Sequence, residues 1–245
     1  MGEVRSTKAD MFDARALAAV SPLQAILSVP LIRPQSLFSP EPVSTQQHRQ
    51  FNVVELPTLG AAVPRSAGRF NKWIGRFVMR LLGWKFCGGL PDLPKFIIIG
   101  APHTSNWDGI VGLAAKMSLG LDARFLAKHS LFQGPSGWLL ARLGGIPIRR
   151  DAPGDIATQA AEWFAANDQM VVAITPEGTR KKGARWKTGF HRIAREANVP
   201  IVCVMFDYEN KRIGPGPILM PSSDMEADLA VIQDFYRPVR GRHPR

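Results

Sequence analysis

The segment FIIIGAPHTSNWDG, residues 96–109, indicates both the fold and the position of a candidate site. Its apolar run FIII is short and continuous, as is typical of a strand that is buried on both faces of a sheet. The residues TSN that follow can each cap a helix, and Asp108 then falls in the first turn, where a helix stabilises an anion. The segment therefore predicts a buried strand that turns directly into a helix, with His103 in the turn.

Strand-like and helix-like segments alternate from residue 84 onward. Strands are predicted in KFIIIG, DARFLAK, GIPIRR, QMVVAITP and VPIVCVMFDY. Helices are predicted in WDGIVGLAAKMSL, SGWLLARLG, GDIATQAAEWFAAND, GFHRIAREAN and DMEADLAVIQDFYRPVR, and the last of these leads into a basic tail, RGRHPR. Such alternation predicts an α/β fold with a largely parallel central sheet flanked by helices.

Composition limits the class of protein and the kind of partner. The chain has 245 residues, of which 45% are hydrophobic and 21% charged, and this suits a globular protein. The formal net charge of +11 predicts an anionic partner: nucleic acid, an anionic membrane surface or a phosphorylated substrate. The two cysteines, Cys87 and Cys203, lie far apart without metal-site or disulfide spacing, which favours a reducing cytosol.

Residues 1–65 differ in composition from the remainder of the chain. They are rich in proline, serine and glutamine and show no sustained periodicity, so we expect a disordered or weakly ordered extension. Residues 66–245 are predicted to form a single domain. No apolar run reaches the ~18 residues that a membrane-spanning helix needs.

Residues 66–86 carry the pattern of an amphipathic helix. Apolar side chains recur at steps of three and four, and they are Phe70, Trp73, Ile74, Phe77, Val78, Leu81 and Leu82. The basic residues predicted on the opposite side are Arg69, Lys72, Arg76 and Arg80. An ordinary surface helix docked on a core shows such a stripe, but aromatic residues opposite a purely basic face favour a helix that lies in a membrane interface. There each cation near an anionic leaflet contributes about 1 kcal/mol.

His103 and Asp108 are suited to acid–base chemistry. If the turn folds back, the carboxylate fixes one imidazole nitrogen and the other nitrogen can accept a proton. This is the base half of a catalytic triad without its serine. Ser136 in GPSGW does not complete a nucleophile elbow, because Trp138 stands where the second glycine is required. We therefore expect a hydroxyl of the substrate to be the nucleophile, which gives acyl transfer beside an activated acyl donor.

A second candidate site follows another predicted strand, in AITPEGTRKKG, residues 173–183. Gly178 allows the backbone to approach a ligand, Thr179 offers a hydroxyl, and Arg180 offers a planar fork that suits phosphate. Further cations surround these residues, namely Lys181, Lys182, Arg185 and Lys187. A solvated basic loop is the alternative, but Glu177, a carboxylate among these cations, favours a binding site over a random basic patch.

Four blocks of the chain, taken together, resemble one family. Two of them are the histidine–aspartate pattern HTSNWD and the segment PEGTR, residues 176–180. GGIPIRR, residues 144–150, is similar to the block G-x-I-F-I-D-R, and VPIVCV, residues 199–204, is similar to V-P-I-V-P-V. In order and spacing the four blocks resemble the glycerolipid (lysophospholipid) acyltransferase family over about residues 84–210.

The resemblance implies a glycerolipid-acyltransferase-like fold and an enzyme that moves a fatty acyl group from an acyl-CoA or acyl carrier protein thioester to a lysophospholipid hydroxyl. The acceptor implied first is 1-acyl-sn-glycerol-3-phosphate, with His103 as general base and Asp108 as its orienting partner. The residues implied to bind the acceptor phosphate are Glu177, Gly178, Thr179, Arg180 and Arg150, and Lys128 is a candidate substrate contact. The thioester is a co-substrate, and neither a metal nor a further cofactor is implied.

Other functions stay open at this point. The same chemistry could serve a lyso-ornithine lipid, another lysophospholipid or a glycolipid, and a hydrolase or a non-catalytic basic membrane-binding protein are alternatives of other kinds. No nucleic-acid-binding motif is present. We expect a cytoplasmic protein that is held peripherally on the inner face of the membrane by residues 66–86.

Overall fold

The predicted central strand lies inside an eight-stranded sheet. The structure, a computed structural model, describes residues 53–54, 56–66, 68–148, 156–177 and 186–243. The strands are β1 (Val53–Val54), β2 (Lys85–Cys87), β3 (Lys95–Ala101), β4 (Ala123–Lys128), β5 (Gly145–Ile148), β6 (Met170–Ile174), β7 (Ile201–Asp207) and β8 (Arg212–Leu219). The helices are α1 (Arg69–Leu82), α2 (Asn106–Leu119), α3 (Pro135–Arg142), α4 (Ile156–Ala166), α5 (Gly189–Glu196) and α6 (Met225–Tyr236).

The sheet order is β1-β2-β8-β7-β3-β6-β4-β5. Strands β7, β3, β6, β4 and β5 are mutually parallel, whereas β8 runs antiparallel to β7 and β1 runs antiparallel to β2. The prediction of an α/β fold with a largely parallel sheet flanked by helices is therefore confirmed. Because β3, β6 and β7 are adjacent and parallel, the segments that follow them leave the sheet at the same edge.

Strand β3 is covered on both faces, which explains its continuous apolar sequence. Ile97 and Ile99 face a core shared with α4, α5 and α6, while Phe96 and Ile98 face a second core shared with α1 and α2. In a strand successive side chains point to opposite faces, so a four-residue apolar run contributes to two cores at once.

The sequence did not predict strand β8, because two prolines interrupt it. Pro215 and Pro217 lack the N–H that a ladder needs, and a proline in an apolar run counts against a central strand. In the structure β2 pairs only with Arg212 and Ile213 of β8. Both prolines lie beyond that pairing, where the one strand that pairs with β8, among the described residues, is β7.

The predicted boundary at residue 65 is wrong for the described part of the N-terminal region. Strand β1 pairs with β2 through Val53 and Val54, and the side chain of Val63 is buried in the core under α1 and α2. The backbone of Arg65 forms an isolated antiparallel β-bridge with that of Leu121. These contacts join segments distant in sequence and leave no periodicity for a sequence pattern to detect. The remainder of the predicted extension, residues 1–52, lies outside the described residues.

Helix α1 packs on the core through Gly75 and Met79 together with Val78 and Leu82, so the predicted apolar stripe is divided between the core and the surface. Gly75 and Met79 are buried, whereas an apolar row stays more than half exposed; this row, the α1 aromatic row, is Phe70, Trp73, Phe77 and Leu81. At 3.6 residues per turn Gly75 and Met79 lie opposite the row, so the arginines of α1 lie beside it rather than opposite it. Among the described residues no helix is both long enough and apolar enough to cross a bilayer.

Substitution of Gly75 by leucine is expected to destabilise the protein by about 1–3 kcal/mol, because the added side chain overpacks the contact between α1 and α2. A Cβ at this position would lie 2.7 Å from the backbone oxygen of Ala114 and closer still to the backbone nitrogen of Ser118. The midpoint of urea unfolding measures the effect. Gly109→Leu in α2 is the matched control, since a Cβ there meets no atom within 4 Å. Equal loss of stability in the two variants would contradict the close helix contact.

Candidate active site

The turn between β3 and α2 is built by reciprocal capping. Ser105 is the N-cap of α2, and its hydroxyl accepts a hydrogen bond from the backbone N–H of Trp107 at 3.2 Å. In return the Asp108 Oδ2 atom accepts hydrogen bonds from the backbone N–H groups of Thr104 at 2.7 Å and Ser105 at 2.8 Å. The carboxylate is thereby fixed by the first turn of its own helix.

The same carboxylate contacts His103, as the sequence predicted. His103 Nδ1 lies 3.2 Å from Asp108 Oδ2, and the side chains are 22% and 1% exposed, respectively. A buried carboxylate on Nδ1 fixes the imidazole tautomer and stabilises the imidazolium, which makes Nε2 the candidate base. The two residues form a candidate general-base pair at the carboxyl edge of the parallel strands.

Tyr208 completes the environment of Asp108, and sequence analysis missed it. Its hydroxyl donates a hydrogen bond to Asp108 Oδ1. Burial of Asp108 acts to raise its pKa, but hydrogen bonds with His103, Tyr208 and Ser105 together outweigh burial and hold the pKa below its usual value. A signal was available in the sequence, since Tyr208 directly follows the buried run of β7, the neighbour of β3.

Glu177 supports His103 from the other side. It follows β6, the second neighbour of β3, and its side chain is buried. Its Oε2 atom accepts a hydrogen bond from the backbone N–H of His103 at 2.7 Å. The sequence assigned Glu177 to phosphate binding, but the contact that the structure describes fixes the backbone of the histidine.

An apolar cavity of about 690 Å³ adjoins the pair, and both His103 and Asp108 contribute to its lining. Most of the lining is apolar and comes from both sides of the sheet, including Phe86, Ile98, Leu113, Leu126, Phe190 and Phe206. Its cationic lining residues are Lys116, Arg124 and Lys187. The candidate site therefore combines a histidine–aspartate pair with a volume suited to a long apolar group.

A family model described as Acyltransferase matches residues 89–207, which include His103, Asp108 and Glu177. Residues 89–207 form a domain of the acyltransferase family. The protein is thus an enzyme that transfers acyl groups, and the family predicted from the four blocks is confirmed.

The fold of this acyltransferase is similar to a solved structure. The crystal structure of the 1-acyl-sn-glycerophosphate (LPA) acyltransferase PlsC from Thermotoga maritima matches with a TM-score of 0.51 and 17% sequence identity, over 71% of this chain and 80% of that chain. At this level of identity the likeness concerns the fold. None of the curated proteins compared with the chain matches it significantly.

The C-terminal tail of the acyltransferase lies against the turn between β3 and α2. The backbone N–H of Tyr208 donates to the carbonyl of Arg240 at 2.9 Å. The guanidinium of Arg242 lies 4.9 Å from the centre of the Trp107 ring, and the backbone N–H of His243 donates to the Thr104 hydroxyl at 3.4 Å. The sequence showed only a basic tail here, because the contacts of Arg242 and His243 join the tail to residues more than 130 positions earlier.

The structure thus brings His103, Asp108 and Glu177 together. Four residues predicted to bind phosphate lie outside the described residues, namely Gly178, Thr179, Arg180 and Arg150. Lys128 ends strand β4, but its side chain is also outside what the structure describes. The roles given to these five residues stay predictions.

Proposed function

We propose that this acyltransferase moves a fatty acyl group from an acyl-CoA or acyl carrier protein thioester to the free hydroxyl of a lysophospholipid, with 1-acyl-sn-glycerol-3-phosphate as the leading acceptor. The observation that carries the proposal is the His103–Asp108 pair in the lining of an apolar cavity. Among the described residues around this pair no serine stands in a nucleophile elbow, so the acceptor supplies the attacking oxygen.

His103 acts as general base in the proposed reaction. Its Nε2 atom takes the proton of the acceptor hydroxyl while that oxygen forms a bond to the thioester carbonyl carbon. Asp108 stabilises the resulting imidazolium through Nδ1. When the carbon–sulfur bond breaks, the thiolate takes the proton from the imidazolium, so the products are an ester and a free thiol and His103 returns to its starting state.

The apolar cavity accommodates the acyl chain. Its volume of about 690 Å³ lies within the range of about 300–1,000 Å³ that is usual for ligand sites. Burial of each methylene group contributes about 0.8 kcal/mol, so an apolar lining favours a long alkyl chain over a short one. The position of the base at this lining supports transfer of a fatty acyl group rather than a small acyl group.

Positive charge supports a phosphate on the acceptor. The chain carries a net charge of +11, and the basic segment at residues 178–185 follows directly after Glu177. At the end of this segment the backbone N–H of Lys187 donates to the carbonyl of Pro176 at 2.7 Å, and Lys187 also lines the cavity. Of the described residues on either side of the segment, Glu177 contacts His103 and Lys187 lines the cavity. We assign the segment to the acceptor head group.

The acceptor reaches the site from a membrane surface. The α1 aromatic row is exposed, and Phe70, Trp73 and Phe77 stack in sequence with ring centres 6.0 and 5.8 Å apart. The arginines beside the row are exposed as well, at Arg69, Arg76 and Arg80. Apolar insertion beside cations suits the surface of an anionic bilayer, so we propose peripheral binding at the inner face of the membrane, where the lysophospholipid already resides.

Release of the donor thiol tests the function. Purified protein with anionic liposomes and palmitoyl-CoA or palmitoyl-acyl carrier protein is expected to release thiol only when lysophosphatidic acid is present. Lysophospholipids with larger head groups, lyso-ornithine lipid and a glycolipid acceptor then rank the acceptors. Release without any acceptor would make the protein a hydrolase, and no release with any pair of donor and acceptor would contradict acyl transfer to these lipids.

A further inference from the structure

Tyr208 donates a hydrogen bond to Asp108 Oδ1, whereas the backbone N–H groups of the turn between β3 and α2 bind Oδ2. Oδ2 is bound by the N–H groups of Thr104 and Ser105 and faces His103 Nδ1. Oδ1 accepts the hydroxyl proton of Tyr208. Because the Asp108 side chain is almost completely buried, an Oδ1 atom without a hydrogen-bond donor would cost free energy. The carboxylate would then be expected to rotate so that Oδ1 reaches another donor.

We propose that Tyr208 is a positioning residue of the acyl transfer reaction, whose hydroxyl holds the Asp108 carboxylate in the orientation that presents Oδ2 to His103. This inference rests on the proposed function. Tyr208 acts through Asp108 and does not itself contact the reacting atoms. Its effect is therefore on the alignment and charge of His103 and Asp108.

Three separate parts of the chain hold the tyrosine in place. It directly follows β7, so the sheet fixes its backbone. The ring of Trp84 packs against it edge to face with centres 4.8 Å apart and an interplanar angle of 88°. Its backbone N–H donates to the carbonyl of Arg240 in the C-terminal tail. A ring fixed on this many sides can fix a carboxylate in turn.

Charge around Tyr208 keeps it a donor. Burial raises the pKa of the Tyr208 hydroxyl, and the Asp108 carboxylate raises it further, while Arg242 acts in the opposite direction and does not outweigh them. The hydroxyl therefore keeps its proton at neutral pH and can donate it to the Asp108 carboxylate. Among the described residues, the charged or titratable groups that face Asp108 and Tyr208 from the neighbouring elements are His103 and Arg242.

Tyr208→Phe tests the proposal. We expect kcat to fall about 10-fold, as for loss of a hydrogen bond to a charged group, with KM for donor and acceptor unchanged. Without the donor on Oδ1 the pKa of Asp108 rises and its carboxylate attracts the proton of the pair more strongly. The acid limb of the pH–rate profile, which reports the pair as a unit, is then expected to move to higher pH.

The chain contains one other tyrosine, and it supplies the matched control. The buried hydroxyl of Tyr236 donates to the backbone carbonyl of Ile99 at 2.6 Å and accepts from the backbone N–H of Val204 at 2.9 Å. Tyr236→Phe therefore also removes a buried hydroxyl, but one whose partners are the backbone of Ile99 and Val204 and the Cys203 thiol rather than Asp108. We expect it to lower thermal stability while the acid limb stays at the wild-type pH.

Two results would overturn the proposal. One is a Tyr208→Phe enzyme with unchanged kcat and acid limb; the other is a loss of stability and rate without movement of the acid limb, which is the behaviour of a merely structural residue. A double-mutant cycle sharpens the distinction. If Tyr208 acts through Asp108, adding Tyr208→Phe to Asp108→Asn brings no further loss of rate, whereas independent losses contradict it.

A readout without substrate separates this inference from the proposed function. In protein labelled with ¹⁵N-histidine the Nδ1 proton of His103, assigned by its loss in His103→Ala, is expected to shift in Tyr208→Phe and to stay in place in Tyr236→Phe. An unchanged resonance in Tyr208→Phe would overturn the positioning role even in an active enzyme. A shifted resonance in an enzyme that transfers no acyl group would contradict the proposed function alone.

Discussion

Replacement of His103 by alanine is expected to lower kcat by about 10²–10⁴-fold, because the substitution removes the only base at the reacting hydroxyl among the described residues of the site. Alanine keeps the backbone N–H that donates to Glu177, so the turn between β3 and α2 retains its support. The loss should therefore concern the rate of transfer rather than the fold. Acceptor-dependent release of thiol from palmitoyl-CoA measures it.

The midpoint of urea unfolding shows whether the His103→Ala variant is folded, and imidazole in the buffer supplies a second check. A small base that enters the space left by the side chain should restore part of the rate in His103→Ala and leave the wild-type rate unchanged. A folded variant that transfers acyl groups at the wild-type rate would remove His103 from the mechanism.

Substitution of both Trp73 and Phe77 by serine is expected to weaken binding to anionic liposomes by at least about 100-fold. Both side chains are exposed in the α1 aromatic row, so their loss leaves the core intact. Burial of a large apolar side chain contributes about 1.5–3 kcal/mol, and two such losses correspond to this change in partitioning. Co-sedimentation with liposomes measures the bound fraction.

Trp138 provides the matched control for the α1 aromatic row. It is as exposed as the residues of the row but lies on α3. Trp138→Ser is expected to leave liposome binding unchanged, whereas substitution of Arg69, Arg76 and Arg80 by glutamine should weaken it mainly at low salt. Wild-type binding by the Trp73 and Phe77 double variant would show that the protein meets the membrane through another surface.

The parts of the fold that sequence analysis predicted correctly are those encoded by local patterns. The run FIII predicts β3 because burial on both faces requires an apolar residue at every position. The site residues His103 and Asp108 lie within one turn and one helix start, so their spacing predicts their contact. Strand β8 was missed because its prolines are tolerated only through the particular pairing it has in the sheet.

The supporting residues of the site could not be predicted in this way. Tyr208 lies 100 positions from Asp108 and Glu177 lies 74 positions from His103, so only the adjacency of β3 to β6 and β7 brings them together. Helix α1 shows the same limit. Its periodicity identified an apolar stripe, but the side of α1 that packs on α2 depends on Gly75. This residue has no side chain and so allows the two helix backbones to approach closely.

The contact at Gly75 also fixes the distance between the proposed membrane-binding helix and the proposed base. Gly75 touches α2 between Ala114 and Ser118, and Asp108 lies on the same helix about 9 Å from the first of these along the helix axis, at 1.5 Å per residue. A protein resting on a bilayer through α1 therefore carries its base at a constant height above the lipid surface. The enzyme would then discriminate among lipid acceptors partly by the depth of the acceptor hydroxyl in the bilayer, and not only by the shape of the head group.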